Sequence, residues 1–511
     1  MIAATRHMGG TDRIGGVLQA VLLLCLALGI TGCAIHPKPL TTDEIEARAD
    51  RDLAAMFQDQ EPVDGPVDLY TAMARAVKYN LDYRLRLMEQ VLSRKNLDVS
   101  RYDLLPELAA SAGYNHRSEY HGANSIALTG PRQGQESLIT STSQEKDIRT
   151  ADITVTWNVL DFALGYYRAR QQADEVLVAE ETRRRVIQGI LRDVRYAFWR
   201  AAGTRQLLDE MEVLLQRAQS AYERSKEATG RRLQPPLVTM AYQRELLDNI
   251  RILWGLIRTL ATAKTELATL MNVRPGTSFD VAAPGVLSIP AVAPDMASLE
   301  ETAMQNRPEL REEDYKSRIS ALEVRKTVVG MLPGLNLRLG YDYDSNDLLY
   351  RNNWWSAGAG ISMNLLGLLS GPATYRAAKA RQEVDRVRRQ AVGMAVMAQV
   401  HIAYQRYALA TEEYRITREL TDVDEDLTAQ MQAEQTAGRV TELALIQTAT
   451  NAMVSRVRSR LAYAELQNAT GRIYTSLGID LMPETVASLD VKTLARSLEE
   501  SWATWEKQVS P

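Results

Sequence analysis

The chain has 511 residues, with 60 lysines and arginines against 64 aspartates and glutamates, and therefore a formal net charge of -4. A protein that neutralises nucleic-acid phosphates needs a basic excess, so no nucleic-acid partner is expected. Hydrophobic residues make up 45% and charged residues 24%, as in folded proteins, while aromatic residues make up only 6%, which argues against a large aromatic core. The abundance of Ala, Leu, Glu, Gln and Arg predicts long helices instead.

The first segment in chain order has the pattern of a secretory signal. Two arginines precede an apolar run, 17–30, that is too short to span a membrane as a helix but has the length of a signal-peptide core. The run ends in Ile30-Thr31-Gly32-Cys33, which resembles the lipobox of bacterial lipoproteins. This resemblance implies cleavage before Cys33 and acylation of Cys33, with palmitate among the acyl groups. A plain secretory signal with a chance cysteine is the alternative. The other cysteine, Cys25, departs with the signal, so a disulfide framework is not expected.

The rest of the chain contains two copies of one pattern. The matching landmarks are Asn80 and Asn306 at an offset of 226, Leu105-Pro106 and Leu332-Pro333 at 227, and Tyr167 and Tyr375, then Gly230-Arg231 and Gly438-Arg439, at 208. The offset changes between the second and third landmarks, so a loop of variable length is expected there. The expected organisation is a signal peptide (1–32), a lipidated N-terminal extension (33–65), a first repeat (66–273), a Pro-rich linker (274–295), a second repeat (296–479) and a C-terminal tail (480–511).

Apolar residues at heptad spacing predict a long coiled-coil helix in each copy. In the first copy the seam comprises Ile190, Val194, Ala197, Ala201, Thr204, Leu208, Met211, Leu215, Ala218 and Tyr222. The second copy keeps Ile402, Leu409, Ile416 and Val423 at intervals of seven. Each helix is expected to run about 60 residues, or about 90 Å at 1.5 Å per residue.

Four segments switch to alternation of apolar and polar residues, which predicts strands. They are Leu108–Tyr114, Ile153–Val159, Leu335–Tyr343 and Trp355–Leu365. Strands of about ten residues have the length that crosses a bilayer at a tilt. A pair of soluble hairpins packed on helices is the alternative.

Four strands cannot span a membrane alone, because two open edges would leave backbone groups unpaired in hydrocarbon. An oligomer is therefore expected, and three copies would supply twelve strands. The polar faces predict a water-filled lumen. Tyr341, Tyr343, Trp354 and Trp355 are expected to form an aromatic girdle at one membrane interface.

In this duplicated order and its landmarks, the chain resembles the TolC family of outer-membrane efflux and secretion ducts, in the lipidated branch. The resemblance implies an α+β fold of two helix-strand-strand-helix repeats. A homotrimer would combine a long α-helical coiled-coil barrel in the periplasm with a small transmembrane β-barrel. It also implies a lipid anchor in the outer membrane, since residue 34 is Ala and not the Asp typical of inner-membrane retention. The implied partners are outer-membrane lipid, a periplasmic adaptor (membrane fusion) protein and an inner-membrane transporter.

The function that the resemblance implies is a passive exit duct for small toxic compounds and drugs in a tripartite efflux pump. The duct of a type I protein secretion system is an alternative with the same architecture. A lipid-tethered periplasmic coiled-coil scaffold without a pore is the alternative from a different class.

In this family, the glycines that match Gly230 and Gly438 lie in turns at the periplasmic tip, where the entrance opens and the adaptor docks. The tip residues implied here are Gly230, Arg231, Arg232, Gly438, Arg439 and Glu442. Several members carry paired Asp residues after the second glycine, whereas Ala444 and Gln447 occupy the matching places in this chain. We therefore expect an entrance gated by Arg and Glu pairs between neighbouring helices and not by a ring of Asp.

No segment has the pattern of a catalytic or cofactor site. No Walker, Rossmann, zincin or nucleophile-elbow motif follows a suitable strand. His116 and His121 lie five residues apart near a predicted loop, where histidines are more often surface residues than ligands. The expectation is a protein that is not an enzyme, with no catalytic residue, no metal site and no cofactor.

Overall fold

The structure is a computed structural model that describes residues 37–509, except 127, 132, 137–138, 203, 231–235, 283–284, 286, 293–294 and 483–487. The chain divides into two compact units, 1–60 and 61–511. In the first unit, helix α1 (Thr42–Phe57) begins with a capping box. The Thr41 hydroxyl accepts a hydrogen bond from Glu44 N at 3.3 Å, and the Glu44 carboxylate accepts one from Thr41 N at 2.8 Å.

The second unit contains the remaining described helices and all four described strands. In chain order they are α2 (Leu69–Tyr79), α3 (Leu81–Tyr102), β1 (Glu107–His116), β2 (Asp147–Asn158), α4 (Val159–Ala201), α5 (Thr204–Gly230), α6 (Pro236–Leu270), α7 (Met296–Asn306), α8 (Pro308–Val329), β3 (Gly334–Asp344), β4 (Asn353–Ser362), α9 (Leu365–Thr436), α10 (Glu442–Leu477) and α11 (Val491–Val509). The predicted α+β class and its two helix-strand-strand-helix repeats are confirmed.

The duplication is visible in the helix boundaries. The bounds of α2 and α3 recur in α7 and α8 at a constant offset of 227. Asn80 and Arg307 each form the break between two helices, with φ -61° in both and ψ 126° and 124°. The predicted match of Asn80 with Asn306 is therefore wrong by one residue. Asn80 caps α3 by accepting from Asp82 N at 3.0 Å, whereas α8 begins with Pro308, which needs no such acceptor.

The two repeats also end in the same way. Asn272 and Gly478 both adopt left-handed backbone, with φ 55° and 69°. The next residue then bonds back into the helix, from Val273 N to Ala268 O at 2.8 Å and from Ile479 N to Tyr474 O at 3.2 Å. This is the Schellman arrangement, which satisfies carbonyls that the helix end leaves free.

The strands form one antiparallel sheet in the order β1-β2-β3-β4. The β1–β2 connection covers 117–146 and the β3–β4 connection 345–352, so the variable loop lies where the repeat offsets place it. The strand ends differ from the prediction. The Asn364 side chain accepts from Gly367 N at 3.0 Å and starts α9, so β4 ends at Ser362 and not at Leu365. At the other end, β2 begins at Asp147, before the predicted Ile153.

The long helix of the first copy is interrupted, contrary to the prediction of one continuous helix. Ala202 has extended backbone, with ψ 128°, and separates α4 from α5. The sequence continues with Gly203, and Gly is about 1 kcal/mol less favourable than Ala inside a helix. The second copy has Thr411 at this place, and α9 continues through it for a total of 72 residues, or about 108 Å.

The core confirms the coiled-coil seam of the first copy. Val194, Ala197, Met211, Leu215 and Ala218 are all buried. Residues from α5, α6 and α10 continue this packing away from the largest cluster, which holds parts of α2, α4, α10 and α11. The seven-residue pattern of the second copy is not part of the core, because Ile402, Leu409, Ile416 and Val423 are exposed within the chain.

Candidate functional site

The turn between α9 and α10 contains the second of the two predicted tip glycines. Gly438 has φ +72°, and a Cβ placed there would meet open space. Arg439 N donates to Glu434 O at 2.9 Å, which closes the end of α9 with a Schellman bond. Thr441 then caps α10 by accepting a hydrogen bond from Ala444 N at 3.2 Å. Both sides of this short turn are thus fixed by local hydrogen bonds.

Ion pairs connect the first turn of α10 to α5. Arg224 donates to Glu442 Oε2 at 2.6 Å, and Arg217 Nε lies 3.8 Å from Glu442 Oε1. Arg439 does not take part, because its guanidinium donates to Glu434 Oε1, in the last turn of α9, at 3.1 Å. Among the described residues, the Arg–Glu contacts that cross between helices at this end are therefore made by Glu442 with Arg217 and Arg224, which the sequence pattern did not identify.

Other tip residues are placed on α5, α6 and α10. Gly230 is the last residue of α5 and is exposed, while Arg231 and Arg232 lie outside the described residues. Gln447, in one of the places matched to the family's Asp pair, donates to Glu245 Oε2 of α6 at 2.9 Å. Nearby on α6, burial raises the pKa of Tyr242, and the negative charge of Glu442 raises it further. This end of the bundle is a network of charged side chains on three helices.

The sheet has two open edges among the described residues. β1 pairs only with β2, and β4 pairs only with β3. The outer backbone groups of both edge strands are therefore left without a strand partner. Because neighbouring strands alternate in direction, β1 and β4 run antiparallel to each other. The β4 edge of one copy can consequently extend the sheet of the next copy through its β1 edge, with the same antiparallel pattern.

One face of the sheet is apolar and exposed. A row across it joins Ala110, Ile153, Tyr341 and Trp355 in register, and the rings of Tyr341 and Trp355 lie 5.0 Å apart. Trp354 pairs with Asp342 and lies on the opposite face, because successive side chains of a strand alternate. The predicted girdle of four aromatic residues is therefore wrong for Trp354.

The other face of the sheet carries a polar network. Ser356 donates to Asp342 at 2.6 Å, Thr154 donates to Asp152 at 3.2 Å, and Ser111 also donates to Asp152. Charged and hydroxyl side chains on one face, opposite an apolar face, suit a sheet with water on one side and hydrocarbon on the other.

Helix α9 exposes a row of apolar side chains that we call the α9 stripe. Its members are Ile402, Leu409, Ile416, Leu420, Val423 and Leu427. Met240, Leu247 and Trp254 form a second exposed row on α6 at intervals of seven, the α6 stripe. Heptad spacing is the signature of a helix that packs against another helix. The sequence pattern contained the signal for these rows, but it could not show that no described helix of the same chain covers them.

Sites for metals and for lipid attachment were also predicted or excluded from the sequence. Within the described ranges, no group of three or more His, Cys, Asp or Glu side chains is arranged to hold a metal ion. His116 Nδ1 lies 2.8 Å from Asp147 Oδ1 at the exposed end of the sheet.

The predicted lipidation site, Cys33, lies outside the described residues. No helix in the described part of the chain is long and apolar enough to cross a membrane.

Solved structures of bacterial outer-membrane channels have the same architecture. The Campylobacter jejuni CmeC outer membrane channel matches with a TM-score of 0.60 at 13% identity, over 85% of this chain and 90% of that chain. The open state of the Neisseria gonorrhoeae MtrE outer membrane channel matches with a TM-score of 0.59 at 16% identity, over 80% and 88%. This chain has the fold of an outer-membrane channel.

A third structure extends the comparison. CusC, described through the conformational changes that accompany folding and transmembrane channel formation, matches with a TM-score of 0.60 at 16% identity, over 83% of this chain and 96% of that chain. No family model and no curated protein matches the sequence. The resemblance to TolC-type ducts is thus confirmed at the level of the channel fold.

Proposed function

We propose that copies of this chain assemble into an outer-membrane channel that serves as the passive exit duct of a tripartite efflux pump for small toxic compounds. The observation that carries the proposal is the four-stranded sheet with two open edges and opposite apolar and polar faces. Such a sheet satisfies its backbone in a bilayer only when other copies close it. Three copies would give a twelve-stranded barrel, which is within the size range of transmembrane barrels.

The exposed stripes support the same assembly from the helical side. A single chain leaves the α9 stripe and the α6 stripe in water, although both have the spacing of coiled-coil interfaces. A homotrimer would bury them between neighbouring copies and continue the barrel as a helical tube in the periplasm. Energy for transport would come from an inner-membrane transporter, reached through a periplasmic adaptor protein at the tip.

The pore is tested by conductance and by gel mobility of the purified protein in detergent. We expect an oligomer that resists SDS until it is heated, and ion conductance in planar lipid bilayers. A soluble single chain without conductance would refute the channel and favour the lipid-tethered scaffold. In the native host, deletion of the gene should raise sensitivity to small toxic compounds. Unchanged sensitivity with loss of a polypeptide from the medium would favour a secretion duct.

Closure of the sheet is tested at one backbone group. Asp344 N donates to Asn352 O at 2.8 Å, and hydrogen-bonded pairs alternate along an antiparallel ladder, so Ala357 points its N–H to the open edge of β4. Ala357→Pro removes that N–H, and we expect loss of the SDS-resistant oligomer with helical content unchanged. Ala357→Val keeps the N–H and is the matched control. An edge that faces only water would tolerate the proline.

The anchor and the entrance follow from the same proposal. Acylation at Cys33 would attach each copy to the outer membrane, and mass spectrometry of the membrane-extracted protein should find the added acyl chains, which Cys33→Ser should lack. At the tip, pairs of Glu442 with Arg217 and Arg224 would hold the entrance closed, in place of a ring of Asp. An unmodified Cys33 in the extracted protein would refute the anchor but not the channel.

A further inference from the structure

An arginine-rich pocket of about 400 Å³ lies where residues of α4, α9 and α10 meet the start of α8. We call it the arginine pocket. Its basic residues are Arg185, Arg192, Arg307, Arg406 and Arg472. Glu309 is the only carboxylate among the residues that line it, all of which the structure describes.

The positive charge of the arginine pocket is only partly compensated by the chain. Arg185 pairs with Glu312 at 3.4 Å, and Arg192 pairs with its neighbour Asp193 at 2.7 Å. In contrast, no carboxylate of the described chain lies within 4.0 Å of the Arg406 or the Arg472 guanidinium. Guanidinium groups stay charged at any physiological pH, so the pocket carries an excess of positive charge.

Two of these arginines also have buried donors without a partner. Arg307 is only 7% exposed, and its terminal nitrogens donate to Thr475 O at 2.8 Å and to Glu309 Oε1 at 3.0 Å. Its Nε has no partner in the described protein, and neither has the buried Nε of Arg472. Burial lowers the pKa of Arg307, against the opposing effect of Glu309. Unpaired buried donors are costly, and two of them in one pocket indicate an acceptor that the chain does not provide.

The same pocket contains one unpaired acceptor. Glu309 Oε1 accepts from Arg307, but Oε2 of the same carboxylate is buried without a partner. A ligand that fits all three atoms must accept hydrogen bonds from guanidinium groups and donate one to a carboxylate.

We propose that the arginine pocket binds inorganic phosphate in its hydrogen phosphate form, which keeps a P–OH group at pH 7. Its charged oxygens would accept from Arg307 and Arg472, and charge-assisted bonds from guanidinium to phosphate are among the strongest in proteins. Its P–OH group would donate to Glu309 Oε2. Sulfate carries no proton near neutral pH and would bring its charge against that carboxylate, so the site should prefer phosphate.

A second copy of the chain is the other source of negative charge. Ile402, a member of the α9 stripe, also lines the arginine pocket. A carboxylate of a neighbouring copy would therefore be near enough to occupy the pocket if the copies pack on this stripe. Phosphate added to the purified protein distinguishes the two sources, because phosphate binds only if the pocket is open and not if a carboxylate of a neighbouring copy already fills it.

The test is isothermal titration calorimetry of the purified full-length protein with inorganic phosphate, at pH 7 and at constant ionic strength set by chloride. We expect one phosphate per chain and at least tenfold weaker binding of sulfate. Arg472→Gln and Arg406→Gln should each weaken phosphate binding about tenfold. Arg458→Gln is the matched control, because Arg458 is exposed on the same helix as Arg472 and lies outside the pocket. Glu309→Gln should remove the preference for phosphate over sulfate.

Several results would overturn the inference. Absence of phosphate binding by the wild-type protein refutes it. Phosphate affinities of Arg472→Gln and Arg406→Gln that both equal the wild-type affinity also refute it. If these variants weaken the oligomer while the wild type takes up no phosphate, a neighbouring carboxylate fills the pocket. Equal binding of sulfate and phosphate refutes the role of Glu309. Arg406 is exposed, so its variant keeps the test valid even if Arg472→Gln does not fold. The inference does not depend on conductance, so the calorimetric test can fail or succeed independently of the channel proposal.

Discussion

Replacing Leu409 by serine should weaken assembly of the chain without unfolding it. Leu409 lies in the middle of the α9 stripe and is 72% exposed within one chain. Complete burial of a leucine side chain contributes about 1.5–3 kcal/mol, so burying this exposed fraction would contribute about 1–2 kcal/mol per copy. Three copies would lose about 3–6 kcal/mol in total. Since 1.4 kcal/mol is a factor of ten, the trimer should form about a hundredfold to ten-thousandfold less readily.

The assay is native mass spectrometry of the detergent-solubilised protein over a dilution series, with circular dichroism to follow unfolding. Leu409→Ser should move the oligomer-to-monomer transition to higher protein concentration, while the helical signal per chain stays the same. Arg418→Ser is the control, because residue 418 is exposed on the same helix and lies more than half a turn around from Ile416 of the stripe. An unchanged transition would show that the α9 stripe is not an interface between copies.

Three further predictions concern the caps and the tip. Gly478→Ala would place a Cβ 2.6 Å from Arg307 N at φ +69°, and urea unfolding should show that the free energy of unfolding falls by about 2–5 kcal/mol. Gly276→Ala is the control: it has φ +89° with open space around the new Cβ, so its free energy of unfolding should fall by only about 1–2 kcal/mol. Glu442→Gln should raise the closed-state conductance. Glu434→Gln should not, because Glu434 pairs with Arg439 just beyond the end of its own helix and not with another helix. Hydrogen bonds from Thr493 lower the pKa of Asp490 to about 2 in the folded protein, from 3.8 in the unfolded chain. The stability that the Asp490 carboxylate adds to α11 is therefore present above pH 3.8 and is lost as the pH falls through about 2. The difference in acid unfolding between the wild type and Asp490→Ala should therefore shrink over that range, and a constant difference would contradict the assignment.

The sequence predicted those features that depend on local periodicity. Alternation in Leu335–Tyr343 identified β3 to within one residue at each end, because one face of that strand is apolar and the other polar. The heptad seam through Val194 and Met211 identified buried positions for the same reason. Repeat offsets placed the variable loop between the strands of each copy without any knowledge of the sheet.

Features that depend on the rest of the structure were beyond the sequence. The heptad pattern at Leu409 indicated an apolar face, but its partner could be a helix of the same chain or of another copy. The ion pair of Arg224 with Glu442 joins residues 218 positions apart, and no local pattern identifies such a pair. The interruption at Ala202 coincides with Gly in place of Thr, a difference in helix propensity of only about 0.3 kcal/mol, which is too small for a sequence pattern to predict a break.

In the proposed assembly, the sheet and the helices would gain from further copies for different physical reasons. Open edges of β1 and β4 leave polar backbone groups unsatisfied, and this cost is greatest in hydrocarbon. The α9 stripe leaves apolar side chains in water, and this cost is greatest in the aqueous phase. Neither environment removes both costs, since hydrocarbon leaves the backbone groups of the strand edges unpaired and water leaves the apolar side chains of the stripe exposed. Self-association relieves both at once, and β1 and β4 already run in the antiparallel sense that it requires.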